Sequence, residues 1–225
     1  MKNMTAAKKI TYFAILFALT TVLQLVGNTV KIGVVTLNFS LIPIVLAAII
    51  LGEWFGAALG TVTGLIILLN NGILGADGFT NILFATDPVV IILVCLLKTG
   101  VAGYLSGLLF KIIKKHNPYV AVFVASGIVP VINSGLFIVG MLFITKSLYA
   151  VGFIAEGASA FATIILLFVG FNFVFEFAVN LIVAPALYRV ISILDKSFGK
   201  KHDKADITAD DNVSDSSESD TSEKR

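Results

Sequence analysis

The sequence predicts an all-α integral membrane bundle of six transmembrane helices with both termini cytoplasmic. Three observations predict it. First, 57% of the 225 residues are hydrophobic and only 13% are charged, whereas a soluble domain is about a quarter charged. The charges also crowd the two ends. Between Ile10 and Val190 the acidic residues are Glu53, Asp77, Asp87, Glu156 and Glu176. So few charges cannot cover a soluble surface, and lipid must be the solvent for much of the chain. Second, the apolar runs are continuous and of helix length. Lipid allows only helices or a closed barrel, and barrel strands would alternate apolar with polar residues. Third, the basic residues segregate. Lys2, Lys8 and Lys9, then Lys111, Lys114 and Lys115, then Arg189, Lys196, Lys200, Lys201 and Lys204 fall on one side of a six-helix arrangement, with Lys31 and Lys146 on the other. The excess of Lys and Arg marks the cytoplasmic side.

The first helix is expected over Ile10 to Val26. It follows Lys8 and Lys9 like a signal peptide, but no small-x-small cleavage site ends it and more spans follow. Gly27-Asn28 breaks it. The stretch from Lys31 to Phe39 is rich in β-branched residues and partly alternating, which predicts extended chain. The second helix runs from Ser40 to Leu51, with Pro43 tolerated in its first turn. Gly52-Glu53-Trp54 is a tight turn, with Trp54 placed as an interfacial aromatic.

The third helix, Phe55 to Leu69, carries Gly56, Gly60 and Gly64 at a spacing that lets helices approach closely. A glycine-rich loop is expected from Asn70 to Asp87, and a loop that long invites a function. The fourth helix runs from Pro88 to Ile113. The fifth runs from Pro118 to Ile144, with Pro130 a kink site. Lys146 to Gly157 reads as another loop, and the sixth helix runs from Ser159 to Ile193. The chain thus divides into a cytoplasmic segment 1–9, a membrane domain 10–199 and a tail 200–225. The tail is Asp, Ser, Glu and Lys with almost no apolar residue. Such a composition cannot form a core and predicts disorder.

Polar residues inside the spans are the informative ones, because each costs several kcal/mol in lipid. Lys98 lies ten residues past Pro88, about 15 Å deep. It is a counter-ion for an anionic group, half of an internal ion pair, or a side chain snorkelling toward an interface. Asn172, Glu176 and Asn180 recur every four residues and share one helix face. That face serves either a ligand or the hydrogen bonding that glues helices together. Asn133 and Ser134 follow Pro130, where a freed carbonyl often lines a cavity. Gln24 and Asn28 sit at i, i+4 near the outer end of the first helix, where an interfacial role suffices. Ala14 and Ala18 form a small-xxx-small pair; internal helix packing would explain it too.

Several chemistries are not encoded. There is no phosphate-binding Gly-x-x-x-x-Gly-Lys-[Ser/Thr] loop, so ATP cannot drive this chain by itself. There is no Cys/His cluster for a metal, and the single cysteine, Cys95, lies in an apolar run. The only histidines, His116 and His202, sit at span edges, which leaves no base for a catalytic triad. No basic groove with interleaved aromatics points to nucleic acid. The chain is expected to be neither an enzyme nor a cofactor carrier.

The stretch Leu37-Asn-Phe-Ser-Leu-Ile-Pro-Ile-Val-Leu-Ala-Ala-Ile-Ile-Leu-Gly52, followed by Gly56 and Gly60, resembles the substrate-binding S components of energy-coupling factor (ECF) vitamin transporters. It is similar to their Phe-Ser-x-Ile-Pro segment and the Gly-Pro-x-x-Gly turn after it, with Glu53 standing where proline is usual. Ala14 and Ala18 match the family's docking motif on the first helix. The resemblance covers Thr11 to Ile193 and includes the riboflavin, folate and pantothenate branch.

The resemblance implies a subunit of the bacterial plasma membrane that binds a vitamin in a cavity in the outer half of the bundle. It would dock through Ala14 and Ala18 on a transmembrane scaffold subunit carrying two ATPase subunits. ATP would then drive its reorientation in the lipid bilayer. Carried onto this chain, the family's ligand positions include Asn38, Lys98, Asn133, Asn172 and Glu176, and the glycine-rich loop around Gly72, Gly75 and Gly78 would be a lid. A lysine suits a carboxylate, which favours an anionic vitamin such as pantothenate. The alternative reading is a stand-alone secondary transporter of a small polar solute, relaying through Lys98 and Glu176.

Overall fold

The apolar runs form helices close to the expected bounds. The computed structural model describes residues 4–29, 31–32, 35–36 and 38–193. Lys2, Lys196 and the tail from Lys200 onward lie outside these residues. Helix α1 spans Ala6–Gly27. A short antiparallel hairpin follows, β1 (Lys31–Ile32) with β2 (Val35–Thr36), in which Lys31 pairs with Thr36 and Ile32 with Val35. Then come α2 (Leu41–Ile50), α3 (Glu53–Ile73), α4 (Gly78–Thr86), α5 (Pro88–Ile113), α6 (Pro118–Phe143), α7 (Thr145–Ala150) and α8 (Ala160–Ile193). The last turns of α3, Leu68–Ile73, and a stretch of α8, Ile164–Gly170, are wound as π-helix.

Five helices, α1, α3, α5, α6 and α8, are long and apolar enough to cross a membrane. The second expected span is only half-length. Its 10 residues rise about 15 Å, half of a hydrocarbon core. Irregular backbone is tolerated at that depth only where protein or water satisfies its polar groups.

Both expected loops contain helix. In the glycine-rich stretch from Asn70 to Asp87, the buried Asp77 side chain caps α4 by accepting from Thr80 N–H (3.0 Å) and Thr80 hydroxyl (2.6 Å). Phe79 and Leu83, one turn apart, are buried and fix the helix. The glycines had masked this i, i+4 pattern. The stretch after Lys146 likewise begins inside α7, which buries Leu148.

The tightest packing joins α3 to α5. A Cβ on Gly60 would collide with the carbonyl of Thr99, and one on Gly64 with the carbonyl of Cys95. Only glycine allows that approach of backbones. At the turn between α2 and α3, Gly52 takes φ +112°, a conformation that a side chain would strain. Glu53, which stands where a proline would be usual, accepts from Lys111 Nζ at 2.5 Å and ties this turn to the end of α5. The exposed Trp54 rests against Tyr104, ring centroids 5.1 Å apart.

The interior is divided in two. One apolar core gathers Leu16, Ile44, Leu59, Phe110, Val122 and Leu187. It lies at the end of the bundle that carries Lys8, Lys111, Lys114 and Arg189. The second gathers Phe79, Leu83, Ile91, Met141, Leu148 and Ile164 at the far end. Along α5, α6 and α8 a polar layer lies between them. On α6 the order is Val129, Asn133, Met141; on α5 it is Ile91, Lys98, Ala102; on α8 it is Ile164, Glu176, Leu187.

Candidate functional site

The polar layer encloses a cavity of about 60 Å³, room for a few water molecules. From Pro88 to Lys98 on α5, and from Asn133 to Phe143 on α6, is ten residues, about 15 Å. The opposite stretches to the basic end are longer, so the cavity lies in the half of the bundle away from the basic residues.

The α1–α2 linker forms one wall, and it is held by side chains. The backbone N–H of Asn38 donates to Glu176 Oε1 at 3.0 Å. Asn172 Nδ2 donates to the carbonyl of Thr36 at 3.1 Å. The Ser40 hydroxyl lies 2.9 Å from Gln24 Oε1 and also meets the Asn38 amide. A chain of amides continues outward. Gln24 Nε2 donates to Asn28 Oδ1 (3.2 Å), and Asn28 Nδ2 donates to Asn71 Oδ1 (2.8 Å). These contacts satisfy non-helical backbone that lipid could not. Asn71 lies on the π-helical turn, and Asn81 Nδ2 donates to the Gly72 carbonyl that this winding leaves free (2.7 Å).

What remains unsatisfied points inward. Asn133 Oδ1 and Asn172 Oδ1 are buried and have no partner. Asn38 also keeps one buried amide atom without a partner. A hydroxyl has one proton, so with both amide oxygens facing it Ser40 donates to only one of Gln24 Oε1 and Asn38 Oδ1. Lys98 makes no ion pair or hydrogen bond with a described residue; its ammonium lies 5.3 Å from the centre of the Phe137 ring. Glu176 lies beside Asn133 and within electrostatic reach of Lys98. Buried polar groups are normally paired. A cluster of unpaired ones around a void in a membrane bundle is the signature of a solute site.

A profile of the family described as ECF transporter, substrate-specific component, matches residues 8–188. The chain belongs to this family. No curated protein and no solved structure matches significantly. The protein is therefore the substrate-specific component of an ECF transporter and a multi-pass membrane protein. The family is one of transporter subunits rather than of enzymes.

In this S component all five residues singled out from the sequence, Asn38, Lys98, Asn133, Asn172 and Glu176, line the one cavity. Asn180 does not. It turns back to donate to the Glu176 carbonyl at 2.9 Å. Sequence reasoning missed Thr36, Asn71, Phe79, Thr80 and Phe137, and it gave Gln24 only an interfacial place; all six line the cavity. The i, i+4 pair Gln24 and Asn28 was a usable signal. Phe79 and Phe137 carried none, since both lie in apolar runs. Ala14 and Ala18 sit on the exposed face of α1, away from the buried Leu16 and Thr20. Internal helix packing does not account for them.

Proposed function

We propose that the protein binds an anionic vitamin, with pantothenate the best-matched candidate, and imports it across the bacterial plasma membrane. The observation that carries this reading is Lys98, a cavity-lining cation with no carboxylate in ion-pair range among the described residues. A cation inside a membrane bundle without a counter-ion is costly, and an anionic substrate supplies one. Asn38, Asn133, Asn172 and Glu176 contribute the hydrogen bonds, and Phe137 an apolar wall. Pantothenate offers a carboxylate for Lys98, with an amide and hydroxyls for the asparagines.

The cavity volume fits a closed state. A vitamin needs several times more room. Opening involves the elements that roof the site, namely the α1–α2 linker and the start of α4 with Phe79 and Thr80. The exposed face of α1, with Ala14 and Ala18, docks on the scaffold subunit that carries the ATPases. Small residues there let another helix approach closely.

Titration calorimetry on the purified full chain, with pantothenate, folate and riboflavin and without ATP or partner subunits, tests the reading. The expected result is tight one-to-one binding of one anionic vitamin. Absence of binding by a folded sample across the panel would overturn it.

A further inference from the structure

We infer that the substrate is two-ended: an acidic group at one end and N–H or O–H donors at the other, the donor end recognised by Glu176, Asn133 and Asn172. This rests on the proposed anion site at Lys98 and adds what must face it.

The inference follows from which atoms are already used. Asn172 spends its Nδ2 on the Thr36 carbonyl, so the amide is fixed with Oδ1 free. Asn133 leaves Oδ1 buried without a partner, beside the Glu176 carboxylate. Glu176 has Oε1 on the Asn38 N–H, and the Asn133 amide lies against the same carboxylate. Asn172 and Glu176 are one turn apart on α8, and Asn133 faces them from α6. The α6–α8 wall is therefore an acceptor surface. The opposing α5 wall presents a cation.

Lys98 and Glu176 do not neutralise each other directly, because no ion pair joins them. A ligand that is only an anion would satisfy Lys98 and leave two buried acceptors, Asn133 Oδ1 and Asn172 Oδ1, unpaired. A ligand that is only a donor would leave Lys98 unpaired. Each unpaired buried group is penalised in full. A molecule with both ends satisfies the whole set, and it enters in one orientation.

The test is calorimetry on the full chain in detergent or nanodiscs with four probes. Pantothenate and folate carry carboxylates and donors. Nicotinate carries a carboxylate without a donor. Riboflavin carries donors without a carboxylate. The expected result is binding confined to pantothenate or folate. Glu176→Gln should then weaken that ligand roughly 10- to 100-fold. Glutamine still accepts the Asn38 N–H, so the linker stays in place and an unchanged thermal midpoint verifies the fold. Asn133→Ala, which touches no linker contact, should weaken the same ligand too. Tight binding of nicotinate, or a bound vitamin indifferent to both substitutions, overturns the two-ended substrate while leaving an anion site at Lys98. Tight binding of riboflavin overturns both readings, and so does silence across all four probes.

Discussion

The backbone N–H of Asn38 donates to Glu176 Oε1 at 3.0 Å across a separation of 138 residues. One carboxylate thereby anchors the linker between α1 and α2 while lining the cavity. Structure and proposed binding meet in this side chain. The two roles separate by substitution.

Glu176→Leu strands the Asn38 N–H in the interior. A buried donor left without a partner costs about 1–3 kcal/mol. Thermal unfolding of the detergent-solubilised chain should show a clear drop for Glu176→Leu and little change for Glu176→Gln. Equal midpoints for wild type and Glu176→Leu would contradict the anchoring role.

Lys98 makes no hydrogen bond or ion pair with a described residue, so Lys98→Gln should fold normally. It should weaken binding of an anionic vitamin by at least about 30-fold, the scale for removing one partner of a buried charge pair. Calorimetry beside a melting curve reads both quantities. Retained affinity would show that the anion lies elsewhere.

Gly60 and Gly64 sit where a Cβ would strike backbone carbonyls of α5. Backbone gives way less cheaply than a side chain, so Gly60→Ala or Gly64→Ala should cost about 1–3 kcal/mol by overpacking. Gly135 on α6 has nothing within 4 Å of a Cβ position. Gly135→Ala should be neutral or stabilising by up to about 1 kcal/mol. Chemical unfolding of the three variants compares them directly.

Ala14 and Ala18 lie on the exposed face of α1 and contribute nothing to the buried core. Replacing both with tryptophan should leave vitamin binding by the isolated chain unchanged and abolish uptake in cells that contain the scaffold and ATPase subunits. Loss of binding in the purified variant would instead place these residues in the fold of the binding subunit.

The sequence by itself determined the class of the protein and most of its helices. Continuous apolar runs leave a membrane chain no choice but helix, and the segregated lysines and arginines orient it. It also singled out Lys98, Asn133, Asn172 and Glu176, because a polar side chain inside a span is conspicuous against its background; Asn38, outside the spans, came from the family resemblance alone. Helix α4 was harder to see, since Gly72, Gly75 and Gly78 at and before its start read as loop while the evidence for helix was the burial of Phe79 and Leu83. The shortness of α2 was legible, since the expected run from Ser40 to Leu51 is barely longer than the 10 residues observed. Only the tertiary structure decided that the five polar residues meet around one void, and which of their atoms are already used. A hydrogen bond such as that from Asn38 to Glu176 depends on how α8 packs against the linker. No local pattern encodes that distance, so the free acceptors beside Lys98 became legible only once the helices were in place.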